Sequence, residues 1–316
     1  MRYEVVGFGQ CCVDYLGRVE GYPGINMKRE VSGLTMQGGG PVATALVALS
    51  RLGITTSFIG KISDDYFGNF ITKGLREEGV NTDHIVIEKG KRSQFAFIPI
   101  EKRSGERTIF WSRATVSPFN PEEVNKDLIS SARLLHLDEL MIEGSLEAAQ
   151  CARCAGVSVV VDAGSYREGS LQVVALADYY ITSEDFVSQY SQTDVTEEVV
   201  RNVARELLRL GPKVVIVTLG AQGSLTVTKN ECFFLPAFQV DVVDTTGCGD
   251  VFHGAFIYGI LQNWELKRSV QFASATAALK CRSVGGRTAI PTLQEVNKFL
   301  ESGEYTHCKM IFGISG

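Results

Sequence analysis

The chain has 316 residues, 45% of them hydrophobic and 21% charged, so it carries enough apolar side chains to bury a sizeable core. A net charge of −5 argues against nucleic acid or an anionic membrane surface as a partner. No apolar stretch reaches the length of a membrane span, and the start MRYEVVGFGQ lacks the pattern of an export signal. Eight scattered cysteines are therefore expected to be reduced, and the composition predicts a cytoplasmic globular protein.

Short β-branched runs alternate with helical patterns along the chain. A strand over 4–9 precedes a helix over 41–53, and a strand over 56–62 precedes a helix over 65–78. Further apolar runs predict strands buried on both faces of a parallel sheet, at 133–138, 157–162, 178–182 and 213–220. The alternation predicts an α/β fold, a doubly wound αβα sandwich with a mostly parallel central sheet, formed as a single domain over residues 1–316.

Two segments, 13–37 and 92–113, interrupt this alternation. Both show strand-like alternation around Gly and Pro turns, with no helical pattern inside them. In the second segment, residues 102–106 supply a hairpin turn. We expect the two segments to pair into a small β-sheet that serves as a lid over the core or as an oligomer interface.

The stretch DTTGCGDVFHGAF (244–256) combines a glycine turn with the start of an apolar helix. A helix that begins near Gly247 to Gly249 presents unpaired N–H groups and the positive end of its dipole, which together attract an anion. Asp250, in the first turn, is placed to accept a proton from a hydroxyl that attacks a bound phosphate. Phosphoryl transfer from a nucleotide needs both functions. The alternative is that Asp250 is only a favourable charge in the first helical turn.

This stretch resembles the C-terminal signature of the ribokinase-like (PfkB) carbohydrate kinases, approximately D-T-x-G-A-G-D. The matching residues are Asp244, Thr245, Gly247, Gly249 and Asp250. The resemblance implies that Asp250 is the catalytic base and that the backbone amides of 247–250, including Cys248, form an anion hole. Cys248 replaces the small residue usual at its position, which a role for the amide tolerates.

A second signature of the same family is similar to GGGPVATALVALSRLG (38–53), a glycine pair that opens a helix ending in R-L-G. The resemblance assigns Gly39 and Gly40 to the sugar and places Thr44 where many members carry a sugar-binding asparagine. Asp14 stands where the family has an aspartate that holds two sugar hydroxyls. A plain tight turn at the glycines and an acidic residue at the start of the lid are the alternatives.

VTLGAQGSL (217–225) resembles the nucleotide loop T-x-G-x-x-G of the family, which implies that ATP is lined by Thr218, Gly220 and Gly223. A plain glycine turn between two strands is the alternative. The family's N-x-x-E segment is absent after the strand at 178–182, where Ser183 and Phe186 take its positions. The resemblance therefore implies Mg²⁺ and ATP, with Ser183 near the nucleotide, and leaves open which residue organises Mg²⁺.

Asp244 and Thr246, with the later turn at 282–289, fall where many family members hold a monovalent cation such as K⁺. The alternative is that Asp244 only buttresses its turn. His253, one helical turn below Asp250, is expected to be a packed helix residue.

The resemblance implies an ATP-dependent sugar kinase that takes a small-molecule sugar, with a homodimer through the lid as a family-level expectation. The segment RSGERTIFWSRA (103–114) is most like the lid hairpin of ketohexokinases, so a ketohexose such as fructose is the leading substrate. A sugar- or nucleotide-binding protein on the same fold without turnover is the alternative of another class.

A different substrate class is suggested by the positive charges of the lid segments, at Lys28, Arg29, Arg103, Arg107 and Arg113. Guanidinium groups suit sulfonate, phosphate or carboxylate, so the sugar could be sulfofructose, a hexose phosphate or a 2-keto-3-deoxy sugar acid. Arg113 is the strongest candidate for this contact, because it follows the aromatic pair Phe110 and Trp111. Solvated charges on exposed strands are the simpler explanation.

Overall fold

The structure is a computed structural model that describes residues 2–303 and Thr306. Within these residues the strands are β1 (Val5–Phe8), β2 (Cys12–Val19), β3 (Ser32–Gly39), β4 (Thr56–Ile59), β5 (Lys61–Ser63), β6 (Val86–Glu88), β7 (Phe95–Glu101), β8 (Phe110–Ser112), β9 (Leu134–Asp138), β10 (Ser158–Ala163), β11 (Tyr179–Ser183), β12 (Val214–Thr218), β13 (Gly223–Thr228) and β14 (Cys232–Pro236). The helices are α1 (Pro41–Arg51), α2 (Tyr66–Glu77), α3 (Lys126–Ser131), α4 (Ile142–Cys154), α5 (Ser170–Val174), α6 (Glu184–Ser191), α7 (Glu197–Arg209), α8 (Cys248–Leu261), α9 (Leu266–Lys280) and α10 (Leu293–Ser302).

Eight strands form the central sheet, in the order β14-β13-β12-β11-β10-β9-β1-β4. The six strands from β12 to β4 are parallel, and β13 and β14 add an antiparallel edge. The mostly parallel central sheet is confirmed, and the predicted strands contribute its parallel part. The strand predicted over 56–62 is divided, because β4 belongs to the central sheet whereas β5 pairs with β6 in a separate two-stranded sheet. The antiparallel edge lies outside the strands that the sequence pattern predicts.

The sheet is covered on both faces, as β1 shows. Val5 belongs to the apolar cluster that contains the buried side chains of α1, α8 and α9, whereas Val6 and Phe8 belong to the cluster that contains those of α4 and α7. Successive side chains of a strand point to opposite faces, so both clusters need apolar residues from the same strand. This arrangement is the predicted doubly wound sandwich, and it explains the continuous apolar runs.

Helix α8 lies in the middle of one layer and is buried along nearly its whole length. A Cβ at Gly254 would lie 2.6 Å from the backbone oxygen of Ala45, and a Cβ at Gly259 would lie 2.6 Å from Ser269 Oγ. These glycines therefore let α8 pack closely against α1 and α9. The close packing fixes the N-terminus of α8, which carries Asp250, relative to the sheet edge.

The lid segments form a separate sheet in the order β3-β2-β7-β8. Strands β2 and β7 run parallel, in register from the pair Val13 and Phe95 to the pair Val19 and Glu101, so the expected pairing of two distant segments is confirmed. Large apolar side chains are exposed on these segments, at Tyr22, Ile25, Met27, Leu34, Ile109, Phe110 and Trp111. Across the part of the chain that the structure covers, no helix is both long enough and apolar enough to cross a membrane.

Candidate active site

Helix α8 begins at the glycine turn that the sequence singles out. Gly247 precedes it with a φ of 74°, and a Cβ there would lie 2.9 Å from the Cα atom of Gly286. Glycine is therefore required on both conformational and steric grounds. No side chain caps α8; the N–H of Cys248 donates to the carbonyl oxygen of Thr245 at 3.3 Å. The helix end thus keeps the partial positive charge that attracts an anion.

Asp250 is half-buried in the first turn of α8. Burial and then the nearby carboxylate of Asp162 raise the pKa of Asp250 to about 7, and the interactions with His253 and Arg107 oppose this rise. A carboxyl group with this pKa is divided between its acid and base forms near neutral pH. Such a value suits a general base.

His253 supports the glycine turn from below. Its Nδ1 atom lies 2.6 Å from the carbonyl oxygen of Gly249 and 3.5 Å from Asp162 Oδ2. Because a carbonyl oxygen only accepts hydrogen bonds, Nδ1 carries the ring proton and donates a hydrogen bond to the carbonyl oxygen of Gly249. Burial lowers the pKa of His253, so the ring is neutral near pH 7. The expectation of a packed helix histidine agrees with this geometry, and the contact with Gly249 adds a role in ordering the turn.

The carboxylate of Asp244 is fully buried and organises the residues before α8. Its Oδ1 accepts from the N–H and the hydroxyl of Thr246 at 2.8 and 2.6 Å, and its Oδ2 accepts from the N–H of Gly285 at 2.6 Å. The structure thus brings Asp244 and Thr246 together with the turn at 282–289, as expected. Both carboxylate oxygens are already bonded, which is the buttressing role that the sequence left as an alternative.

Asp14 and the glycine pair meet at the base of the lid. A Cβ at Gly39 would lie 2.1 Å from Asp14 Oδ2, and Gly40 precedes α1 with a φ of 100°. Asp14 is 7% exposed, and burial raises its pKa, while a hydrogen bond from the Cys12 thiol at 3.1 Å and the positive charge of Arg287 oppose that rise. Asp14 and the glycine pair of the signature at 38–53 therefore share one small site.

Arg287 is the residue of this site that the sequence reasoning missed. It is 6% exposed; its Nε donates to Thr44 Oγ1 at 3.3 Å and its Nη2 to the carbonyl oxygen of Gly39 at 3.1 Å. Within residues 2–303 no carboxylate lies within 4 Å of its guanidinium group. Thr44 was the available signal, because a side chain shorter than asparagine leaves room for a donor from elsewhere.

The hairpin between β7 and β8 connects the lid to residues 244–247, the turn before α8 that is called the Asp244 turn below. The carbonyl oxygen of Gly105 accepts from the N–H of Thr245 at 3.3 Å, and Arg107 Nη1 donates to Thr245 Oγ1 at 3.0 Å. The positive charge of Arg107 lowers the pKa of both Asp14 and Asp250. Arg113 is exposed instead, with its guanidinium carbon 5.2 Å from the centre of the Trp111 ring. Arg107 is thus the lid arginine that the fold brings to the site.

The residues expected to line ATP lie at the carboxyl ends of two adjacent strands. Ser183 ends β11 and Thr218 ends β12, and the two are paired in register. Gly220 and Gly223 have φ values of 55° and 122°, and they shape the turn into β13. In a parallel sheet this edge is the one where ligands bind.

The side chain of Ser183 has structural partners of its own. Its Oγ accepts from the N–H of Phe186 at 3.2 Å, which caps α6, and donates to the carbonyl oxygen of Gly164 at 2.8 Å. Ser183 therefore shapes the loop at this edge. Its contact with the nucleotide stays a prediction.

Comparison with known proteins identifies the family. The sequence profile of the pfkB family carbohydrate kinases matches residues 3–293. The chain belongs to this family of carbohydrate kinases, which are phosphotransferases that act on sugars. The fold class and the resemblance noted in the sequence are thereby confirmed.

Two curated relatives show how similar the chain is to characterised members. Fructokinase-1 of Zea mays is 29% identical over 325 residues, covering 95% of this chain and 98% of the relative. Ribokinase of Staphylococcus aureus (strain COL) is 29% identical over 305 residues, covering 94% of this chain and 100% of the relative. Kinases named for two different sugars are thus equally similar, and this degree of similarity does not identify the acceptor.

The fold is shared with a protein from E. coli solved in complex with ATP and Mg²⁺. It superposes with a TM-score of 0.82 at 23% identity, covering 95% of this chain and 99% of that one. At this identity the likeness concerns the fold alone.

The pKa of Asp250 predicts a pH dependence of turnover. A general base accepts the proton in its carboxylate form, so if Asp250 has this role, kcat/KM is expected to rise with pH through about 7 and to level off above it. An aspartate with an ordinary pKa near ~4 would give a flat profile over the same range. The profile is measured with any acceptor sugar that supports turnover, at constant ionic strength, and a flat profile from about pH 5.5 to 8.5 contradicts the assignment.

Proposed function

We propose that the chain transfers the γ-phosphoryl group of ATP to a sugar hydroxyl, with Asp250 as the general base. The position of Asp250 carries this proposal: a half-buried carboxyl with a pKa of about 7 stands at an uncapped helix N-terminus. The base and the anion site are thus adjacent, as in-line transfer requires. Membership of the carbohydrate kinase family supports the same reaction.

In the proposed reaction, Asp14 binds the sugar by accepting hydrogen bonds from two hydroxyls, beside Gly39. Asp250 accepts the proton of the attacking hydroxyl, and the first amides of α8 stabilise the negative charge that moves between the phosphate oxygens. The lid hairpin closes the site through Arg107 and excludes water that would otherwise hydrolyse ATP.

Mg²⁺ takes oxygen ligands, and carboxylates suited to it stand at this edge of the sheet, in Asp138 at the end of β9 and Asp162 at the end of β10. Burial raises the pKa of each to about 7, so a bound cation would favour their ionised forms. When bound, Mg²⁺ neutralises charge on the nucleotide phosphates.

The leading acceptor is a ketohexose such as fructose. The lid hairpin resembles that of ketohexokinases, and relatives named fructokinase match nearly the whole chain at about 28% identity. Fructose is therefore the first acceptor to assay.

Substitution of Asp250 tests the proposal that the chain is a sugar kinase. We expect Asp250→Asn to lower kcat by roughly 10²- to 10⁴-fold, because the amide cannot accept the proton. ATP consumption is measured against a panel of neutral and anionic sugars, and thermal unfolding confirms that the variant folds. Asp127→Asn, which changes an exposed aspartate in the first turn of α3, serves as the matched control and keeps wild-type turnover.

Two results would contradict the proposal. If Asp250→Asn turns over at a rate comparable to the wild-type protein, Asp250 is not the general base. Binding of a sugar and ATP by the wild-type protein, without turnover on any sugar, makes the chain a binding protein on the kinase fold.

A second candidate function is phosphorylation of an anionic sugar, and the two arginines at the site favour it. Arg287 places a buried positive charge beside Thr44 and Gly39, while Arg107 approaches from the lid. A buried guanidinium without a carboxylate partner is costly, and an anionic group on the substrate would lower that cost. Sulfonate, phosphate and carboxylate all suit a guanidinium group.

Substitution of Arg107, the exposed one of these two arginines, distinguishes a neutral from an anionic acceptor sugar. If the acceptor is anionic, we expect Arg107→Gln to lower kcat/KM for it by roughly 10- to 100-fold, as loss of a charged hydrogen bond does. Arg113→Gln is the matched control, because Arg113 lies on the same lid but stacks on Trp111. The KM for ATP is measured in parallel. Equal effects on neutral and anionic sugars would count against charge recognition by Arg107.

We also propose that the chain forms a homodimer through its lid, and that it is cytoplasmic. The exposed apolar side chains of the lid support the dimer, since clusters of this kind mark protein contacts. Ile25 is 96% exposed and Met27 69%.

Sedimentation velocity tests the dimer. The wild-type protein is expected to sediment as a dimer, and a double substitution Ile25→Asp and Trp111→Asp is expected to shift it to the monomer, because carboxylates cannot be buried in an apolar contact. Tyr66→Asp, which changes an exposed aromatic residue of α2, is the matched control. A wild-type protein that sediments as a monomer at all concentrations refutes the proposal.

A further inference from the structure

The Asp244 turn rests on the residues that follow α9. The carbonyl oxygen of Cys281 accepts from the N–H groups of Val243 and Asp244 at 2.8 and 3.2 Å, and Gly285 N–H donates to the carboxylate of Asp244. These bonds hold the start of the turn that leads into α8. Any group that stabilises this junction therefore also positions Asp250.

Lys280, the last residue of α9, places an ammonium group inside the junction. The residue is fully buried, and its Nζ donates to the carbonyl oxygen of Asp244 at 3.0 Å. Within residues 2–303 no carboxylate lies within 4 Å of this nitrogen, although the negative charge of Asp244 opposes the effect of burial on its pKa. A buried ammonium without a close ion pair is unfavourable unless the surrounding oxygens need a cation.

A second buried lysine shows the usual arrangement. The side chain of Lys61 is 4% exposed, and its Nζ pairs with Glu123 at 2.9 Å and with Ser117 Oγ at 2.9 Å. Its charge is balanced by a carboxylate in direct contact. Lys280 is different, because its ammonium donates to the backbone carbonyl oxygen of Asp244 and, within residues 2–303, contacts no carboxylate.

We propose that the ammonium of Lys280 is a built-in monovalent cation for this turn, so that the protein needs no K⁺ or other free monovalent cation. A free cation at this junction would be repelled by the ammonium of Lys280, which already contacts the carbonyl oxygen of Asp244, and the carboxylate of Asp244 already accepts three hydrogen bonds. An ammonium and K⁺ carry the same charge and both bind carbonyl oxygens. The residues present do not fit a K⁺ ion, and Lys280 acts as a positioning residue in its place.

The test compares cations in the wild-type protein and in Lys280→Met, which keeps the length of the side chain and removes its charge. Wild-type kcat and melting temperature are expected to be the same in KCl, NH₄Cl and choline chloride. In choline chloride, Lys280→Met is expected to lose roughly 10- to 100-fold in kcat, as displacement of a reacting group by about 1 Å does. K⁺ or NH₄⁺ is expected to restore part of its kcat and to raise its melting temperature.

Lys61→Met is the matched control for loss of a buried ammonium, and it is expected to show no difference between the salts. The proposal is overturned if the wild-type protein is activated or stabilised by K⁺ over choline. It is also overturned if folded Lys280→Met behaves alike in all three salts. Should Lys280→Met fail to fold, the wild-type comparison still decides.

The kcat measurements depend on the proposed kinase function, whereas the melting temperatures do not. If the wild-type protein has no sugar kinase activity, the proposed function is refuted. The melting temperatures in the three salts then still test the role of Lys280. The two failures are therefore distinguishable.

Discussion

The carboxylate of Asp244 is the constraint on which the site depends. Its hydrogen bonds from Thr246 and Gly285 join the turn before α8 to the loop after α9, two segments about 40 residues apart in sequence. This junction sets the conformation of Gly247, and Gly247 sets where α8 begins. A buried carboxylate with every strong hydrogen bond made is rigid, because breaking one leaves an unpaired charge in the interior. The proposed base, Asp250, is thus held in place by a second aspartate that the proposed reaction does not use.

The site also concentrates opposite charges in a poorly hydrated space. Burial raises the pKa of Asp138, Asp162 and Asp250, so the carboxylates at this edge are destabilised in their ionised forms. Arg107 and Arg287 bring positive charge from the lid and from the loop after α9. Such an arrangement gives up some folding stability so that an incoming phosphate and its cation meet charges already in place.

Much of the fold and part of the site could be predicted from the sequence. The apolar runs identify parallel strands because a strand buried on both faces is mostly apolar. Gly39 is found by the signature that contains it, and Asp14 by its position after the first strand. Arg287 and Lys280 could not be found in this way. Each acts on residues that the fold, and no local pattern, brings near it: Arg287 Nη2 bonds a residue 248 positions away and Lys280 one 36 positions away.

The choice among the lid arginines shows the same limit. The sequence favours Arg113 because the aromatic residues Phe110 and Trp111 precede it, yet its guanidinium group stacks on Trp111 at the surface. The hairpin turn decides which arginine faces the site, and its geometry brings Arg107 to Thr245. Periodicity locates strands well, whereas the direction of a side chain beyond a strand end depends on the turn.

The contact between the lid hairpin and Thr245 has a thermodynamic consequence. Gly105 and Arg107 join the lid sheet to the turn before α8. In the proposed reaction, a sugar that closes the lid would therefore also change the free energy of phosphate binding at the start of α8. Coupling of this kind is reciprocal: whatever factor the sugar adds to the affinity for ATP, ATP adds to the affinity for the sugar. Two ligands that react with each other thereby favour each other's binding through a few hydrogen bonds at one loop.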